Sequence, residues 1–363
     1  MRILQICSAD LIGGGERHLV DLSNSLARRG HQVDLALRPK SPVETLLTEA
    51  ASENLLFTRM RNAADVRSAV QIAGFAKKRQ ADIIHVHIAR DYPIAAAAAR
   101  LAGVPFVITR HVLFPLKRVN RVLLNGVAAV IAPSTAVMES IRKQAVLPRD
   151  KVSLIHCGID TNRFEGLRPT AHERFTVATI GHISPIKGID IFVQAAEIVA
   201  RARPDVRFLI VGEDKSRDGR HRREIEGLIA ELDMGDHVEM TGWIDDIREQ
   251  FREMDIFVSS ARSEPFGLVI AESMSAGVPV VAARSEGASE IVVDGDSGLL
   301  VPLNDPRSLA DAILRLAGDA ELRGRLAGNG KIRARQNFSL ERMVERTEEL
   351  YSSIVNAASS DGR

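Results

Sequence analysis

Apolar residues in the first part of the chain fall into short blocks separated by longer stretches of helical periodicity. Arg2–Cys7, Gln32–Leu37, Asn54–Met60, Asp82–His87, Pro105–His111 and Ala128–Ser134 are brief, mostly apolar runs, as strands buried on both faces are. Between most of them, Glu16–Arg29, Ala63–Arg79, Pro93–Leu101, Pro115–Asn125 and Thr135–Ala145 carry an amphipathic helical pattern. Lys151–His156 reads as a last strand, and Cys157-Gly158-Ile159-Asp160 as a turn into a linker. The alternation restarts at Phe175. Phe175–Gly181, Val206–Gly212, His237–Trp243, Asp255–Ser260 and Pro279–Ala283 read as strands, with helices between. Strand–helix alternation predicts parallel sheets with helices on both faces. The expected fold class is therefore α/β, with two Rossmann-like domains at residues 1–165 and 166–338 and a charged amphipathic helix at 339–357. Ligands in such sheets bind at the carboxyl ends of the strands, so the cleft between two such domains is the expected site.

Composition changes this picture little. A chain of 363 residues has room for two ordinary domains, and 45% hydrophobic with 26% charged residues is the balance of a soluble globular protein. No apolar run reaches the length of a membrane span, and Met1–Cys7 is too short for a signal peptide. The two cysteines, Cys7 and Cys157, lie far apart in apolar surroundings. They are expected to be free and buried in a reducing cytoplasm. No metal-ligand spacing stands out among the histidines, and no metal is expected. Charge changes it more. Residues 1–165 carry 23 Lys and Arg against 14 Asp and Glu, and the remainder carries 25 against 33. A basic half and an acidic half support two domains with different partners.

Candidate chemistry concentrates in Arg262–Gly298. The loop Ser263-Glu264-Pro265-Phe266-Gly267 precedes a short predicted helix that carries Glu272 and stops at Gly277, before Pro279. A helix opening on a Gly-containing turn leaves amide N–H groups free beside the positive end of its dipole, which suits a phosphate. Carboxylates before and along that helix suit the hydroxyls of ribose or a sugar. The spacing also fits a helix with one capping and one solvated Glu, or a glycosidase pair, although a helix N-terminus between two carboxylates suits a phosphorylated ligand better.

Glu264-Pro265-Phe266-Gly267-Leu268-Val269-Ile270-Ala271-Glu272 resembles the E-x7-E motif of the retaining glycosyltransferases of family 4, which have the GT-B fold. The resemblance extends over nearly the whole chain. Gly13-Gly14-Gly15-Glu16 follows the first predicted strand. Its glycines allow close backbone approach to a ligand, as a flexible loop also would. It is not G-x-G-x-x-G, and Leu35-Ala36-Leu37-Arg38 puts no acid at the end of the second strand, which speaks against a dehydrogenase. It resembles the family's G-G-x-E loop, which places Gly14 and Gly15 toward the donor diphosphate and Glu16 toward the acceptor. A His at a strand's carboxyl end faces the site, and the resemblance gives His111 the donor sugar. His85 and His87 alternate with Val86 and share one face; His87 is assigned to the acceptor side and His85 to structure.

Gly181-His182-Ile183-Ser184-Pro185-Ile186-Lys187-Gly188 resembles the family's G-R-L-x-x-x-K-G turn, whose Arg and Lys clamp the diphosphate. Lys187 matches, and His182 stands in place of the Arg. Gly212 and Ile244, with Trp243 beside it, mark strand ends that form the base pocket in the family. Ser285–Glu290 resembles a G-G-x-x-E loop that Glu290 would brace.

The resemblance implies a GT-B enzyme that moves a sugar from a nucleotide-diphospho-sugar to an acceptor with retention of configuration, in cell-envelope, lipopolysaccharide or other glycoconjugate synthesis. Glu264, His111 and Lys187 are the expected catalytic residues. Phe266, Gly267, Leu268 and Val269 would hold the donor, and Glu272 its ribose. No cofactor is expected, and the closing helix would cross back onto the first domain. The expected acceptor is a saccharide or a lipid-linked molecule. Lys117, Arg118 and Arg121 lie with Val119, Val122, Leu123 and Leu124 on one predicted helix, which suits peripheral contact with an anionic membrane at its cytoplasmic face. Few aromatics accompany the charge, so nucleic acid is not an expected partner. A sugar-nucleotide epimerase or phosphorylase on a similar scaffold, or a silent binding subunit, are the alternative functions.

Overall fold

The structure, a computed structural model, describes residues 1–49, 52–167, 174–244 and 246–361. It divides into two compact units, Met1–Gly158 with Leu340–Arg363, and Ile159–Ser339.

The first unit has strands β1 (Arg2–Cys7), β2 (Gln32–Leu37), β3 (Leu55–Phe57), β4 (Ile83–Val86), β5 (Phe106–Thr109), β6 (Ala129–Ala132) and β7 (Val152–Leu154). They form one parallel sheet in the order β3-β2-β1-β4-β5-β6-β7. Its helices are α1 (Gly14–Arg28), α2 (Val66–Arg79), α3 (Tyr92–Ala102), α4 (Asn120–Leu123) and α5 (Thr135–Gln144). Strand alternation divides the core between two faces. Leu4, Ile6, Ile84, Val86 and Ile108 pack with residues of α2, α3 and α5, while Ile3, Cys7, Ile83 and Val107 pack with residues of α1. Both cysteines are buried thiols outside any disulfide.

The second unit repeats the plan with β8 (Thr176–Ile180), β9 (Arg207–Val211), β10 (Val238–Gly242), β11 (Ile256–Ser259), β12 (Val280–Ala283) and β13 (Leu299–Val301). The sheet order is β10-β9-β8-β11-β12-β13, again parallel. Helices α6 (Ile189–Ala202), α7 (Arg220–Glu231), α8 (Arg248–Arg252), α9 (Leu268–Ser275), α10 (Glu286–Ile291), α11 (Pro306–Gly318) and α12 (Ala320–Asn337) belong to this unit. The closing helix α13 (Leu340–Asp361) joins the first unit, where Met343, Val344 and Tyr351 enter the core beside α1.

Three details depart from the sequence pattern. The units divide at Gly158 and Ile159, not at residue 165, because the Ile159 N–H donates to Phe338 O at 2.9 Å and Ile159 bridges Ser339. The linker expected there runs into residues 168–173, which lie outside the described residues. The helix expected over 115–125 shrinks to α4. Its flanks turn by i to i−3 bonds, Arg121 N–H to Arg118 O and Val122 N–H to Val119 O. Only Leu124 of its apolar residues is buried, whereas Val119, Val122 and Leu123 stand exposed beside Lys117, Arg118 and Arg121. Strand β13, whose short Leu299–Val301 run carried no period of its own, pairs with β12. Among the described residues no helix is long and apolar enough to cross a membrane.

Candidate functional site

In the second unit the strand order reverses between β8 and β11, and their carboxyl ends carry the motif residues. β8 leads to Gly181 and the turn ending in Lys187; β11 leads to Ser260 and the loop ending in Gly267. Gly181, Lys187, Glu264, Gly267 and Val269 line one pocket of about 30 Å³. Lys187 Nζ donates to Glu264 Oε2 within it. Helix α9 starts immediately afterwards, and among the described residues no side chain caps its first turn. Uncapped amides at the positive end of a helix, next to a Lys, make an anion site. Gly267 bends the chain into α9 at φ +105, where any side chain is strained, and a Cβ there would lie 3.0 Å from Ile270 Cδ1.

The Glu264 loop is held from two sides. Arg262 donates to both Asp190 oxygens, at 2.8 and 2.5 Å, and to Pro185 O at 2.6 Å, tying the loop to the Lys187 turn. Burial raises the Asp190 carboxyl, but the Arg262 hydrogen bond and charge outweigh it and hold the group below the usual carboxylate range. On the other side, Glu264 N–H donates to Glu286 at 3.2 Å and Gly287 N–H to Glu264 O at 2.8 Å. Within Ser285–Glu290 the Glu286 side chain meets Glu264, and the Glu290 carbonyl accepts from Arg333. Phe266 turns inward onto Phe338, so its side chain serves the core. Leu268 begins α9, and Glu272, partly exposed, sits one turn further along.

Gly212 closes on the same strand ends, its N–H donating to Gly242 O at 2.8 Å. His182 stacks on Trp243 with ring centroids 5.8 Å apart, and Lys215 lies over the same indole. Burial first, then the Lys215 and Lys187 charges, push the His182 imidazole below its usual value. It is therefore mostly neutral at pH 7, unlike the Arg it replaces in the resembled motif. Ile244, partly buried, follows Trp243.

The first unit reverses its strand order between β1 and β4, again with the expected residues at the carboxyl ends. Gly13 N–H donates to Glu16 Oε2 at 2.9 Å, so the Glu16 carboxylate caps α1. Gly14 is exposed at the start of α1, and a Cβ on Gly15 would come 3.2 Å from the His111 ring. His111 packs against His18 and His87, with ring centroids 4.8 and 5.8 Å away. His87 is buried and bonds Gln5 Oε1 at 2.8 Å. His85 lies behind it, bonded to Tyr351 Oη at 2.5 Å and Thr109 Oγ1 at 2.7 Å, the structural place expected for it. Burial pushes His18 down to about 4 and holds His85, His87 and His111 well below the ordinary imidazole value. All four are neutral at pH 7.

Comparison with known proteins fits this geometry. Residues 12–163 match the model described as Glycosyltransferase Family 4, and residues 161–333 match Glycosyl transferases group 1. The chain belongs to the family 4 glycosyltransferases. Among relatives of this glycosyltransferase, the lipopolysaccharide core biosynthesis glycosyltransferase LpsE of Rhizobium meliloti is 28% identical, across 94% of this chain and 96% of the relative. The D-inositol 3-phosphate glycosyltransferase of Thermomonospora curvata is 26% identical across 96% and 93%. Among solved structures, Anabaena HepE in complex with UDP superposes with a TM-score of 0.85 at 23% identity, covering 97% of this chain and all (100%) of that one. Sucrose-phosphate synthase from Thermosynechococcus elongatus gives 0.80 at 24% identity, covering 98% and 99%. The architecture is GT-B: two parallel-sheet α/β domains.

Sequence reasoning missed several residues that hold the glycosyltransferase's two clusters together: His18 and Gln5 in the first, Asp190 and Glu286 in the second. For His18 a signal was present, because helical spacing sets it one turn beyond Gly15. For Asp190 and Glu286 there was none, since each meets its partner only when distant strands become neighbours.

Proposed function

We propose that this glycosyltransferase moves a sugar from a nucleoside-diphospho-sugar to a saccharide or lipid-linked acceptor with retention of anomeric configuration, in the synthesis of lipopolysaccharide or another glycoconjugate. The observation that carries the donor assignment is the pocket at the start of α9, where Lys187 and Glu264 meet beside an uncapped helix N-terminus. The amides and Lys187 meet the charge of the leaving diphosphate, a preorganised electrostatic role that needs no metal for the transfer. Glu264 contacts the transferred sugar, and Glu272 accepts hydrogen bonds from ribose. Gly212 and Ile244 border the base, and His182 lies toward the phosphates. Gly14, Gly15 and His111 serve the donor, while Glu16 and His87 belong to the acceptor side.

HepE, bound to UDP and to UDP-glucose in its solved structures, and LpsE, named for lipopolysaccharide core synthesis, support the donor class and the glycoconjugate role. The work is cytoplasmic in this reading. The exposed Val119, Val122 and Leu123 beside three basic residues suit peripheral attachment to an anionic membrane, at roughly 1 kcal/mol per basic residue. A thermal-shift panel of UDP, GDP and ADP tests the donor assignment, because a ligand that binds only the folded protein raises its apparent stability. One of the three should raise the melting temperature at millimolar concentration. No shift with any of them would remove the nucleotide-sugar reading.

A further inference from the structure

We propose that His18, His87 and His111 form a binding site for a borderline transition-metal dication such as Zn2+ or Co2+. The three residues come from α1 and from the chain just beyond β4 and β5. Their candidate ligand nitrogens lie within 4.8 Å of one another. His87 Nδ1 and His111 Nε2 are 3.5 Å apart. Two imidazoles on one tetrahedral zinc, each about 2.0–2.1 Å from it, have nitrogens roughly 3.3 Å apart. That pair already stands close to ligand spacing.

The hydrogen bonding fits as well. A metal ligand must offer a lone pair toward the ion. Gln5 Oε1 can only accept, so His87 carries its proton on Nε2 and presents the Nδ1 lone pair toward His111. A side-chain carbonyl that takes the outer N–H of an imidazole is how proteins orient a metal-binding His.

His18 supplies an independent observation. It is 2% exposed, and neither ring nitrogen has a hydrogen-bond partner among the described residues. A buried imidazole with both nitrogens unsatisfied calls for an explanation, and a metal bond would satisfy one of the two. His85 is close by but stands outside the three-histidine group: Tyr351 Oη and Thr109 Oγ1 hold its two nitrogens. Three nitrogen ligands without a carboxylate favour zinc, cobalt, nickel or copper over magnesium, calcium or manganese. His111 is only partly buried, which leaves the fourth position for water. A metal held there engages the His111 lone pair itself.

The test uses the full chain after chelator treatment, titrated with CoCl2. The expected result is one equivalent of Co2+ per chain with the strong visible absorption of low-coordinate cobalt, displaced by Zn2+. His18→Leu should lose that band, while His221→Ala, on α7, should keep it. Weak octahedral absorption, or a band unchanged in His18→Leu, overturns the proposal. X-ray absorption on the zinc-loaded wild type decides the matter should His18→Leu fail to fold. A shell of three imidazoles supports the site, and a shell of fewer imidazoles or of oxygen overturns it.

Discussion

Replacing Gly267 by Ala puts the proposed phosphate turn under a measurable load. The backbone there has φ +105, outside the region that residues with a Cβ ordinarily visit. Holding a side-chain residue in so sparsely populated a conformation costs about 1–3 kcal/mol. The new Cβ would also stand 3.0 Å from Ile270 Cδ1 and 3.3 Å from Glu264 Cγ, contacts that a rotating methyl and a flexible side chain relieve only by moving. Against this, Ala restricts the unfolded chain and returns about 0.4–1 kcal/mol. The net expectation is a loss of about 1–2 kcal/mol from the second unit. Gly295→Ala is the matched control, with φ +75 and, among the described residues, no atom within 4 Å of the added Cβ. Its αL geometry costs roughly 1–2 kcal/mol before the same offset. Trp243 is the chain's single tryptophan and lies in the second unit, so its fluorescence during urea denaturation reports that unit's unfolding. Gly267→Ala should lower the midpoint more than Gly295→Ala. It should also weaken nucleoside-diphosphate binding about tenfold, since a shift of about 1.4 kcal/mol in the α9 amides and Glu264 has that effect. Equal midpoints for the two variants, with unchanged nucleotide affinity, would refute both the strain and the role of the turn.

Four further outcomes can be measured. Glu272→Ala should weaken nucleoside-diphosphate binding in calorimetry by roughly ten- to a hundredfold, the loss of a charged hydrogen bond worth about 1.5–3 kcal/mol; unchanged affinity would exclude the ribose role. Glu264→Gln should lower turnover far more than nucleotide affinity, and the product anomer read by NMR should match that of the donor. The folded-state value of His182 lies below its unfolded value near 6.5, so any stability tied to its neutral form is complete above pH 6.5 and falls away in acid, while phosphate binding through the imidazolium grows as pH falls. His182→Arg should therefore tighten diphosphate binding at pH 7.5 and flatten its pH profile below 6.5; matching profiles would mean that His182 does not touch phosphate. The exposed basic and apolar residues at 114–123 should carry the protein down with anionic but not neutral vesicles at low salt, and high salt should release it.

Locally encoded features were legible without coordinates. The strands β1, β2, β8 and β9 follow from short apolar runs, because a parallel strand buried on both faces needs little else. The Glu264–Glu272 spacing implied a loop, a helix start and a carboxylate along that helix, because a helix fixes the relation of residues one or two turns apart whatever surrounds it. The face shared by His85 and His87 followed from strand alternation alone, and their rings lie 4.1 Å apart.

Other features needed the chain to be folded. The stretch 115–125 has helix-like periodicity, yet Val119, Val122 and Leu123 stay exposed in the folded chain, and without burial of that stripe only the short α4 forms. The boundary at Ile159 depends on a hydrogen bond to Phe338, far along the chain. Glu286 reaches Glu264, and Arg262 reaches Asp190, because β8, β11 and β12 are neighbours in the sheet. His18, His87 and His111 show no ligand spacing in the sequence, since they come together only when α1 packs over the ends of β4 and β5. Local periodicity determines what each segment becomes. Strand order decides which distant side chains share a site, and it is set by the burial of the whole sheet, which no single segment carries.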